Sequence, residues 1–348
     1  MGGHALSQVK TRRYNTDEYM ALALKMQMHM LILFEKDINI VRAYHGKQDH
    51  GDMDILLKND GTLGNIADKL NEYFKPGQMV CNGGVYSFDY EEFQIDVILT
   101  TPENWDTSVA FFDYDPSGNL MGKIAHKFGL KYGFKGLTYP YRTTEGVEFA
   151  DITISKDNGK IFEFLGFDYE EFKRGFVTKK DIFDYVVNSK YFDPQNFLME
   201  NLNHIDKKRK KRPTYQEFLS YINTEVKDGR KWNQTFSKNK EEYLPMINSA
   251  FPDAKLYYEI EKCRAADARR MIIASKFNGE TIMKMYPELS GESLGKFIIG
   301  FKLHVADLQR AMHLDGENEQ LFREYVLNCG TDIISNDIKN YYNSIHNG

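Results

Sequence analysis

The sequence contains few cysteines, and they form no pattern. Cys81, Cys263 and Cys329 are the three cysteines among 348 residues, and their wide spacing argues against a cysteine metal cluster or redox pair and indicates a reducing compartment. A long hydrophobic run is missing too. The apolar stretch from Met26 to Phe34 is too short to cross a bilayer, and nothing resembles a secretory signal. We therefore expect an intracellular, cytoplasmic protein without a membrane partner.

Two common catalytic motifs are also absent. The chain has no G-x-x-x-x-G-K-[ST] phosphate loop and no H-E-x-x-H zinc helix. Neither sign of charge dominates, because 45 Lys and Arg residues stand against 50 Asp and Glu residues, for a net charge of −5. This balance is unlike that of a protein that binds nucleic acid over its whole surface, so any phosphate affinity must come from local patches.

Composition and periodicity predict an α+β protein. The 42% of hydrophobic and 14% of aromatic residues indicate a globular chain, and its length suits two or three domains. A helix is predicted over residues 16–37, with Thr16 as its N-cap. The other predicted elements are strands at 38–44, 52–58, 79–88 and 93–100, a helix near 62–75, and a hairpin of 134–141 and 147–154. From about residue 158 onward the pattern is almost entirely helical, so a mixed sheet precedes an all-helical region.

Two carboxylates lie one residue apart where a strand-like run begins. Asp52 and Asp54 follow a glycine and precede an apolar stretch. Alternate side chains of a strand share a face, so these two project together while Met53 and Ile55 face the core. Neighbouring carboxylates repel each other, and a cation usually neutralises such a pair. Oxygen ligands alone favour Mg²⁺ or Mn²⁺. A solvated acidic turn before a strand is the simpler alternative.

A third carboxylate, Asp96, lies in the middle of the apolar run 93–99. A lone acid in such a strand is costly unless it is paired, hydrogen-bonded or bound to a metal. If the two strands are neighbours, Asp96 joins Asp52 and Asp54, and the three can hold two metal ions. Such a pair of ions activates an attacking hydroxyl and stabilises the leaving oxygen of a phosphoryl transfer.

These carboxylate motifs resemble the palm of the polymerase-β-like nucleotidyltransferases, most closely that of the family-X DNA polymerases. Gly51-Asp52-Met53-Asp54 and Ile95-Asp96-Val97 carry the likeness. It extends over roughly residues 40–195, where the segments 131–138 and 178–185 resemble the family's Gly-Phe strand and its terminal helix.

The segment between these motifs resembles the family's nucleotide pocket. Phe111 and Phe112 stand where the family has an aromatic pair, and Asn119 stands where it has an asparagine. Lys123 follows at the position of a basic residue that reaches the nascent base pair. The phenylalanine pair replaces Tyr-Phe, which leaves the choice of sugar open.

The resemblance implies transfer of a nucleoside monophosphate from an NTP or dNTP to the 3′ end of DNA or RNA, with two Mg²⁺ or Mn²⁺ ions. By the same resemblance, Asp52 and Asp54 hold the ion of the triphosphate, and Asp96 helps to deprotonate the attacking 3′-hydroxyl. It also implies a palm-like catalytic domain over residues 1–155, a helical thumb-like region over 156–205 and a helical accessory or nucleic-acid-binding domain over 206–348.

The chain departs from the family where that family grips the triphosphate. A Gly-Ser pair is expected shortly before the first aspartate, but residues 41–47 contain none. Arg42, Lys47 and the backbone around Gly46 and Gly51 are the substitutes that we name for it. Because the palm begins near residue 40, we also expect the family's DNA-gripping N-terminal domain to be absent.

Six consecutive basic residues precede Pro213. They are Lys207, Lys208, Arg209, Lys210, Lys211 and Arg212. A run this dense is usually a solvated loop, and contact with the phosphates of DNA or RNA is the functional alternative. The run also has the form of a nuclear-localisation signal, which makes the nucleus the alternative location. We expect it to lie in a linker after the catalytic half.

Both ends of the chain carry weaker signals. Gly2 and Gly3 would let the backbone approach a ligand closely. We favour a frayed terminus there, and a segment folded into the active site is the alternative. Segments 277–283 and 291–298 resemble the tail of bacterial CCA-adding tRNA nucleotidyltransferases and poly(A) polymerases, in which glycine turns open two helices. An ordinary helical hairpin is equally consistent with these segments.

Three functions remain open from the sequence. Extension of a polynucleotide 3′ end is favoured, with DNA-polymerizing and RNA-tailing versions not separable. Nucleotidylation of a protein or small molecule is the second, although a small acceptor needs neither the basic run nor a helical tail. A non-catalytic nucleic-acid-binding palm is the third, although a carboxylate trio without metal would repel itself.

Overall fold

The computed structural model describes Gly3 and residues 5–202, 212–225 and 236–346. Within these residues the strands are β1 Tyr14–Asn15, β2 Ile38–Ile40, β3 Asp49–His50, β4 Asp52–Lys58, β5 Met79–Asn82, β6 Val85–Tyr90, β7 Phe93–Thr100, β8 Lys131–Gly133, β9 Gly136–Arg142 and β10 Glu148–Ser155. The α-helices are α1 Thr16–Phe34, α2 Ile66–Phe74, α3 Trp105–Phe112, α4 Ser117–Ala125, α5 Asn158–Phe164, α6 Tyr169–Arg174, α7 Lys179–Val187, α8 Pro213–Glu225, α9 Leu244–Ala250, α10 Leu256–Lys276, α11 Gly279–Met285, α12 Gly291–Ala311, α13 Asn318–Asn328 and α14 Thr331–His346. The predicted α+β class is confirmed.

The chain forms two compact units. The first comprises Met1–Pro140 and Asp151–Leu256, and the second comprises Tyr141–Ala150 and Tyr257–Gly348. The division predicted near residues 155 and 205 therefore falls inside the first unit at both points. The tip of the β9–β10 hairpin groups with the second unit.

A five-stranded sheet organises the first unit. Its strand order is β2-β4-β7-β6-β5. The central pair β4 and β7 is parallel, whereas the other neighbours are antiparallel. Because parallel strands need a long crossover, α2 and the β5–β6 hairpin occupy the chain between them. Sequence-distant strands therefore become neighbours at the centre of the sheet.

The alternation of β4 and β7 decides which side chains reach the core. Met53, Ile55 and Leu57 of β4 are buried with Ile95 and Val97 of β7 in one cluster. Helices α1 and α2 contribute the rest of that cluster, in which Leu22, Met26, Met30, Ile66, Leu70 and Phe74 are the principal side chains. Since side chains of a strand alternate, the intervening acids of β4 and β7 lie on the opposite face.

Two predicted strands match the structure, and other elements need correction. The strands predicted at 52–58 and 93–100 are confirmed at the same residues. The single strand predicted over 79–88 is wrong, because Gly83 and Gly84 adopt positive φ angles and turn the chain into the β5–β6 hairpin. Only residues 38–40 of the predicted strand 38–44 form a strand.

The first helix begins at Thr16, as predicted, but ends at Phe34 and not at residue 37. Asn15, not Thr16, is the N-cap of α1, and it shares a capping box with Glu18. The helix stops at Phe34 because Glu35 adopts a left-handed conformation, which ends the helical hydrogen-bond pattern. Among the helices of the described residues, none combines the length and the apolar character that a bilayer crossing requires.

The second unit is helical, apart from the hairpin tip. Helices α11 to α14 share a core whose most buried side chains are Ile282, Phe301, Phe322, Val326 and Ile334. The two predicted glycine turns do open helices. Asn278 caps α11 by accepting a hydrogen bond from the Thr281 N–H at 2.9 Å, and Ser290 forms a capping box at the start of α12. The likeness to a tRNA-nucleotidyltransferase tail stays a prediction.

Candidate active site

The carboxylate trio is assembled by the parallel pairing of β4 with β7. In this register Asp54 lies opposite Asp96, and Asp52 lies opposite Gln94. Asp52 and Asp54 share the sheet face that the hydrophobic cluster leaves open, because they alternate with Met53 and Ile55. The predicted neighbourhood of the two strands is therefore confirmed. Asp54 and Asp96 are 42 positions apart in the sequence, and no local pattern contains the register between them.

Burial and repulsion by neighbouring acids raise the proton affinity of Asp54 and Asp96. Burial, followed by the negative charges of Asp52 and Asp96, raises the pKa of Asp54 to about 8. Burial also raises the pKa of Asp96, although hydrogen bonds from Ser87 and Gln94 oppose this shift. The positive charge near Asp54 and Asp96 is too small to offset the cost of burying their ionised carboxylates. A site of this kind can accept a cation or a proton.

A cleft of about 460 Å³ opens beside Asp52 and Asp54. Its remaining walls come from the segment 41–49, from the starts of α7 and α8, and from Arg13, Tyr19 of α1, Phe112 at the end of α3 and Asp115 after that helix. Asp115 adds a fourth negative charge that acts on Asp54. Sequence reasoning missed Asp115, since its turn position gives no strand-like signal.

Most cations that line this cleft are already paired. Arg13 is 2.6 Å from Asp49, and Lys179 is 2.5 Å from Glu217. Lys47 is the exception among the described lining residues, since its ammonium group makes no ion pair or hydrogen bond there. Burial lowers the pKa of Lys47, while Asp52, Asp115 and Asp54 oppose that shift. A half-buried cation without a fixed partner is poised for an anionic ligand.

Arg42 is held by the protein. Its Nε and a terminal nitrogen each lie 2.8 Å from Oδ2 of Asp113, and its backbone N–H donates to Oδ1 of the same residue at 2.8 Å. The guanidinium also lies over the Tyr114 ring, 4.9 Å from its centroid. Asp113 is completely buried. Arg42 therefore lines the cleft, but its charge is committed to a structural pair, and its predicted phosphate contact remains a prediction.

The glycines of the loop have different roles. The N–H of Gly46 donates to the carbonyl of Val177 at 2.8 Å, and a Cβ at Gly46 would lie 2.9 Å from that oxygen. This N–H is thus used to fix the loop and is not free for a phosphate, contrary to the suggestion for the backbone around Gly46. Gly51 is buried directly before Asp52, and its predicted contact with phosphates stays a prediction.

The predicted nucleotide-pocket residues are only partly together. Phe112 lines the cleft, whereas Phe111 packs edge-on against Tyr132 with ring centroids 5.7 Å apart. Asn119 and Lys123 belong to α4, and Lys123 is buried at 4% exposure. Along with Phe111, they are not among the described residues that line the cleft. Their predicted roles have no geometric support from the cleft.

The basic run falls mostly outside the described residues. This applies to Lys207, Lys208, Arg209, Lys210 and Lys211. Arg212 is described and exposed, directly before Pro213, which lines the cleft at the start of α8. Contact of the run with nucleic acid stays a prediction.

The N-terminus reaches the carboxylates. Gly3 donates its N–H to Oδ2 of Asp52 at 2.9 Å, and the Ala5 N–H donates to Gln94 at 3.0 Å. The frayed terminus that we favoured is therefore wrong for Gly3 and the residues from 5 onward. The two glycines were the available signal, because a glycine is needed where backbones approach closely.

The carboxylates of Asp52, Asp54 and Asp96 are chemically suitable ligands for a divalent metal ion. Three clustered carboxylates supply the hard oxygen donors that Mg²⁺ and Mn²⁺ prefer, and the raised pKa of Asp54 reflects charge that the protein leaves uncompensated. As the side chains stand, no group of three His, Cys, Asp or Glu residues in the described part of the chain converges closely enough to hold an ion. Occupation would require the three carboxylates to draw closer together.

Comparison with known proteins adds no relative. No protein-family model matches the chain, and no curated protein matches it either. The assignment of function therefore rests on the residues and geometry described above.

Proposed function

We propose that this protein is a metal-dependent nucleotidyltransferase that transfers a nucleoside monophosphate from an NTP or dNTP to the 3′-hydroxyl of a polynucleotide. The observation that carries the proposal is the register of β4 with β7, which sets Asp54 opposite Asp96 on the face shared with Asp52. The motif spacing in the sequence and this register agree.

The charges around the cleft support a triphosphate ligand. Lys47 is the lining cation among the described residues that has no carboxylate partner, so a phosphate oxygen would supply the acceptor that it lacks. Arg13 and Lys179 are already neutralised by Asp49 and Glu217. Binding of a triphosphate to Lys47 would therefore not require an existing ion pair to break.

Asp52, Asp54 and Asp96 would hold the Mg²⁺ or Mn²⁺ ions, which neutralise developing negative charge on the transferred phosphoryl group when they are bound. Asp96 would accept the proton of the attacking 3′-hydroxyl. The 3′-oxygen forms a bond to the α-phosphorus, and the bond from the α-phosphorus to the bridging oxygen breaks, so pyrophosphate leaves. Lys47 would orient the triphosphate during this displacement.

The proposal is tested by incubating the full chain with Mg²⁺, each labelled NTP or dNTP, and single-stranded, duplex or tRNA acceptors. Gel electrophoresis should reveal extended acceptors for the unmodified protein and none for Asp54→Asn or Asp96→Asn. Asp37→Asn is the matched control, since Asp37 is an exposed acid paired with Lys58 away from the cleft. It should leave extension unchanged.

Each other result has a definite meaning. Extension that persists in both Asp54→Asn and Asp96→Asn would overturn the role of the trio. Label transferred to a protein or to a small molecule, with no extended polynucleotide, would mean that the acceptor is not a polynucleotide. The protein would then have the second function that the sequence leaves open, nucleotidylation of a protein or small molecule. Absence of transfer to any acceptor, together with retained binding of nucleic acid, would favour a non-catalytic palm.

A further inference from the structure

The N-terminal strap, which we define as Gly3 and residues 5–13, lies across the acid-bearing ends of β4 and β7. Its first contact is the hydrogen bond from the Gly3 N–H to Oδ2 of Asp52, at 2.9 Å. Gly3 has a φ of +83°, and a Cβ at this position would lie 2.3 Å from the carbonyl oxygen of Gly51. Only glycine can make this approach, because a side chain would collide with fixed backbone.

A second contact links the strap to the third carboxylate. The Ala5 N–H donates to Oε1 of Gln94 at 3.0 Å. The Nε2 group of the same glutamine lies 3.0 Å from both oxygens of Asp96. Gln94 is 2% exposed, so it has little freedom to turn. The strap therefore reaches Asp52 directly and Asp96 through one buried side chain.

The strap is anchored independently of the carboxylates. Gln78 accepts hydrogen bonds from the N–H groups of Ser7 and Gln8, at 3.0 and 2.7 Å. Leu6 is buried at 9% exposure, and the Arg12 N–H donates to the carbonyl of Glu92 at 2.8 Å. These anchors hold the segment against the first unit, so that the two contacts near the acids are made by an ordered backbone.

We propose that docking of the strap positions Asp52 and Asp96 for cation binding, which makes Gly3 and Gln94 positioning residues of the active site. This inference rests on the proposed function, since it concerns the same carboxylates. Like charges on adjacent strands favour rotation of the side chains away from each other. A hydrogen bond to one carboxylate oxygen opposes that rotation and leaves other lone pairs of the group for a metal.

The direct test is Gly3→Ala in the full chain, with Mn²⁺ binding measured by electron paramagnetic resonance. Loss of a partner that orients a metal ligand should weaken Mn²⁺ affinity about tenfold and lower kcat by a similar factor. The KM for the nucleotide should change little, because Lys47 is untouched. The melting temperature should remain close to that of the unmodified protein.

Gly61→Ala is the matched control. Gly61 has a φ of +87°, close to that of Gly3, but a Cβ there would meet nothing within 4 Å. Both substitutions therefore impose the same backbone strain, and only Gly3→Ala displaces the strap. Mn²⁺ affinity in Gly61→Ala should equal that of the unmodified protein.

A second pair of variants covers the case in which Gly3→Ala fails to fold. Gln94→Met removes the link from Ala5 to Asp96 with little change of volume, and Gln78→Met removes a strap anchor that does not touch the trio. Gln94→Met should weaken Mn²⁺ binding about tenfold, and Gln78→Met should weaken it much less. In the double variant of Gly3 and Gln94 the losses should be less than additive, since one docked segment makes both contacts.

The outcomes separate the strap from the proposed function. Mn²⁺ binding without nucleotidyl transfer would overturn the function, and the affinity ratio of Gly3→Ala to Gly61→Ala would still decide the role of the strap. Unchanged or tighter Mn²⁺ binding in Gly3→Ala would overturn the positioning role, as would additive losses in the double variant. Absence of Mn²⁺ binding by the unmodified protein would overturn both.

Discussion

Asp54 and Asp96 are register partners on two parallel strands, with each carboxylate on the same face of the sheet. Parallel partners of like charge are destabilising, and here burial of both groups makes that cost larger. We therefore expect the free energy of unfolding to depend on pH in the absence of divalent ions, and to rise when they are added.

The first prediction concerns Asp54. Burial and its acidic neighbours raise the pKa of Asp54 to about 8, above the value of about 3.9 in an unfolded chain. The folded state therefore binds this proton more tightly, and the free energy of unfolding should fall by up to about 1.4 kcal/mol per unit as the pH rises between these two values. Mg²⁺ or Mn²⁺ should restore stability at the upper end of this window.

Urea denaturation with EDTA at pH 6 and pH 8, in the unmodified protein and in Asp54→Asn, measures this effect. The decline with pH should be smaller in the variant. Burial lowers the pKa of His50 to about 4, which by itself makes the protein more stable as the pH rises. Because both proteins contain His50, the comparison removes this opposite trend. Equal declines in both proteins would contradict the elevated pKa of Asp54.

The second prediction concerns Lys47. Its substitution by Met should raise the KM for the nucleoside triphosphate about tenfold, which corresponds to about 1.4 kcal/mol of lost binding. Lys47 is expected to contact phosphate because its ammonium has no ion-pair partner among the described residues of the cleft. Steady-state kinetics with saturating acceptor measure the change.

Lys179→Met is the comparison for Lys47→Met, because Lys179 lines the same cleft but is paired with Glu217. It should raise the KM by a smaller factor. If the two variants raise the KM equally, or if Lys47→Met has no effect, Lys47 is not the triphosphate ligand.

The third prediction concerns the ion pair of Arg42 with Asp113. Arg42→Met removes both guanidinium contacts with the fully buried carboxylate of Asp113. Of the contacts between the two residues, only the hydrogen bond from the backbone N–H at position 42 remains. Breaking a fully buried pair costs about 3–5 kcal/mol, but Arg42 is 46% exposed, so we expect about 2 kcal/mol here. Chemical denaturation gives the free energy of unfolding.

Arg42→Met combined with Asp113→Asn should recover part of that loss, because no buried charge then remains unpaired. A phosphate-binding role for Arg42 makes the opposite forecast. In that case Arg42→Met would leave stability unchanged and raise the KM for the nucleotide.

The fourth prediction concerns the close contact between α3 and α4. A Cβ at Gly118 would lie 2.2 Å from the carbonyl oxygen of Phe111, so Gly118→Ala should destabilise the first unit by about 1–3 kcal/mol through overpacking. Gly295 lies in α12, and a Cβ there meets nothing within 4 Å. Gly295→Ala should therefore stabilise the protein by about 0.5–1 kcal/mol.

Thermal or chemical denaturation of the two alanine variants distinguishes these effects. A negligible cost for Gly118→Ala would mean that the α3–α4 turn relaxes easily. Phe112 and Asp115 lie at this turn and line the cleft, so relaxation there would also change the shape of the cleft.

Local patterns predicted the elements that bear the acids. Both strands were predicted with the correct first and last residues. The signals were the alternation around Asp52 and Asp54 and the apolar run around Asp96, because burial of one face imposes a period of two. The same reasoning failed over 79–88, where apolar residues continue through a glycine turn, and it could not show that Arg42 pairs with Asp113, which is 71 residues away.

The sequence by itself determined that the chain has an α+β fold, that three acids lie on β-strands, and that two of them share a face. Only the tertiary structure decided that β7 lies beside β4, that Asp115 joins the cleft and that Gly3 returns to Asp52. It also decided that Arg42 is paired with Asp113, whereas Lys47 has no ion-pair partner among the residues that the structure describes. The physical reason is that strand periodicity is local, whereas register, ion-pair choice and the docking of a terminal segment depend on contacts between residues far apart in the chain.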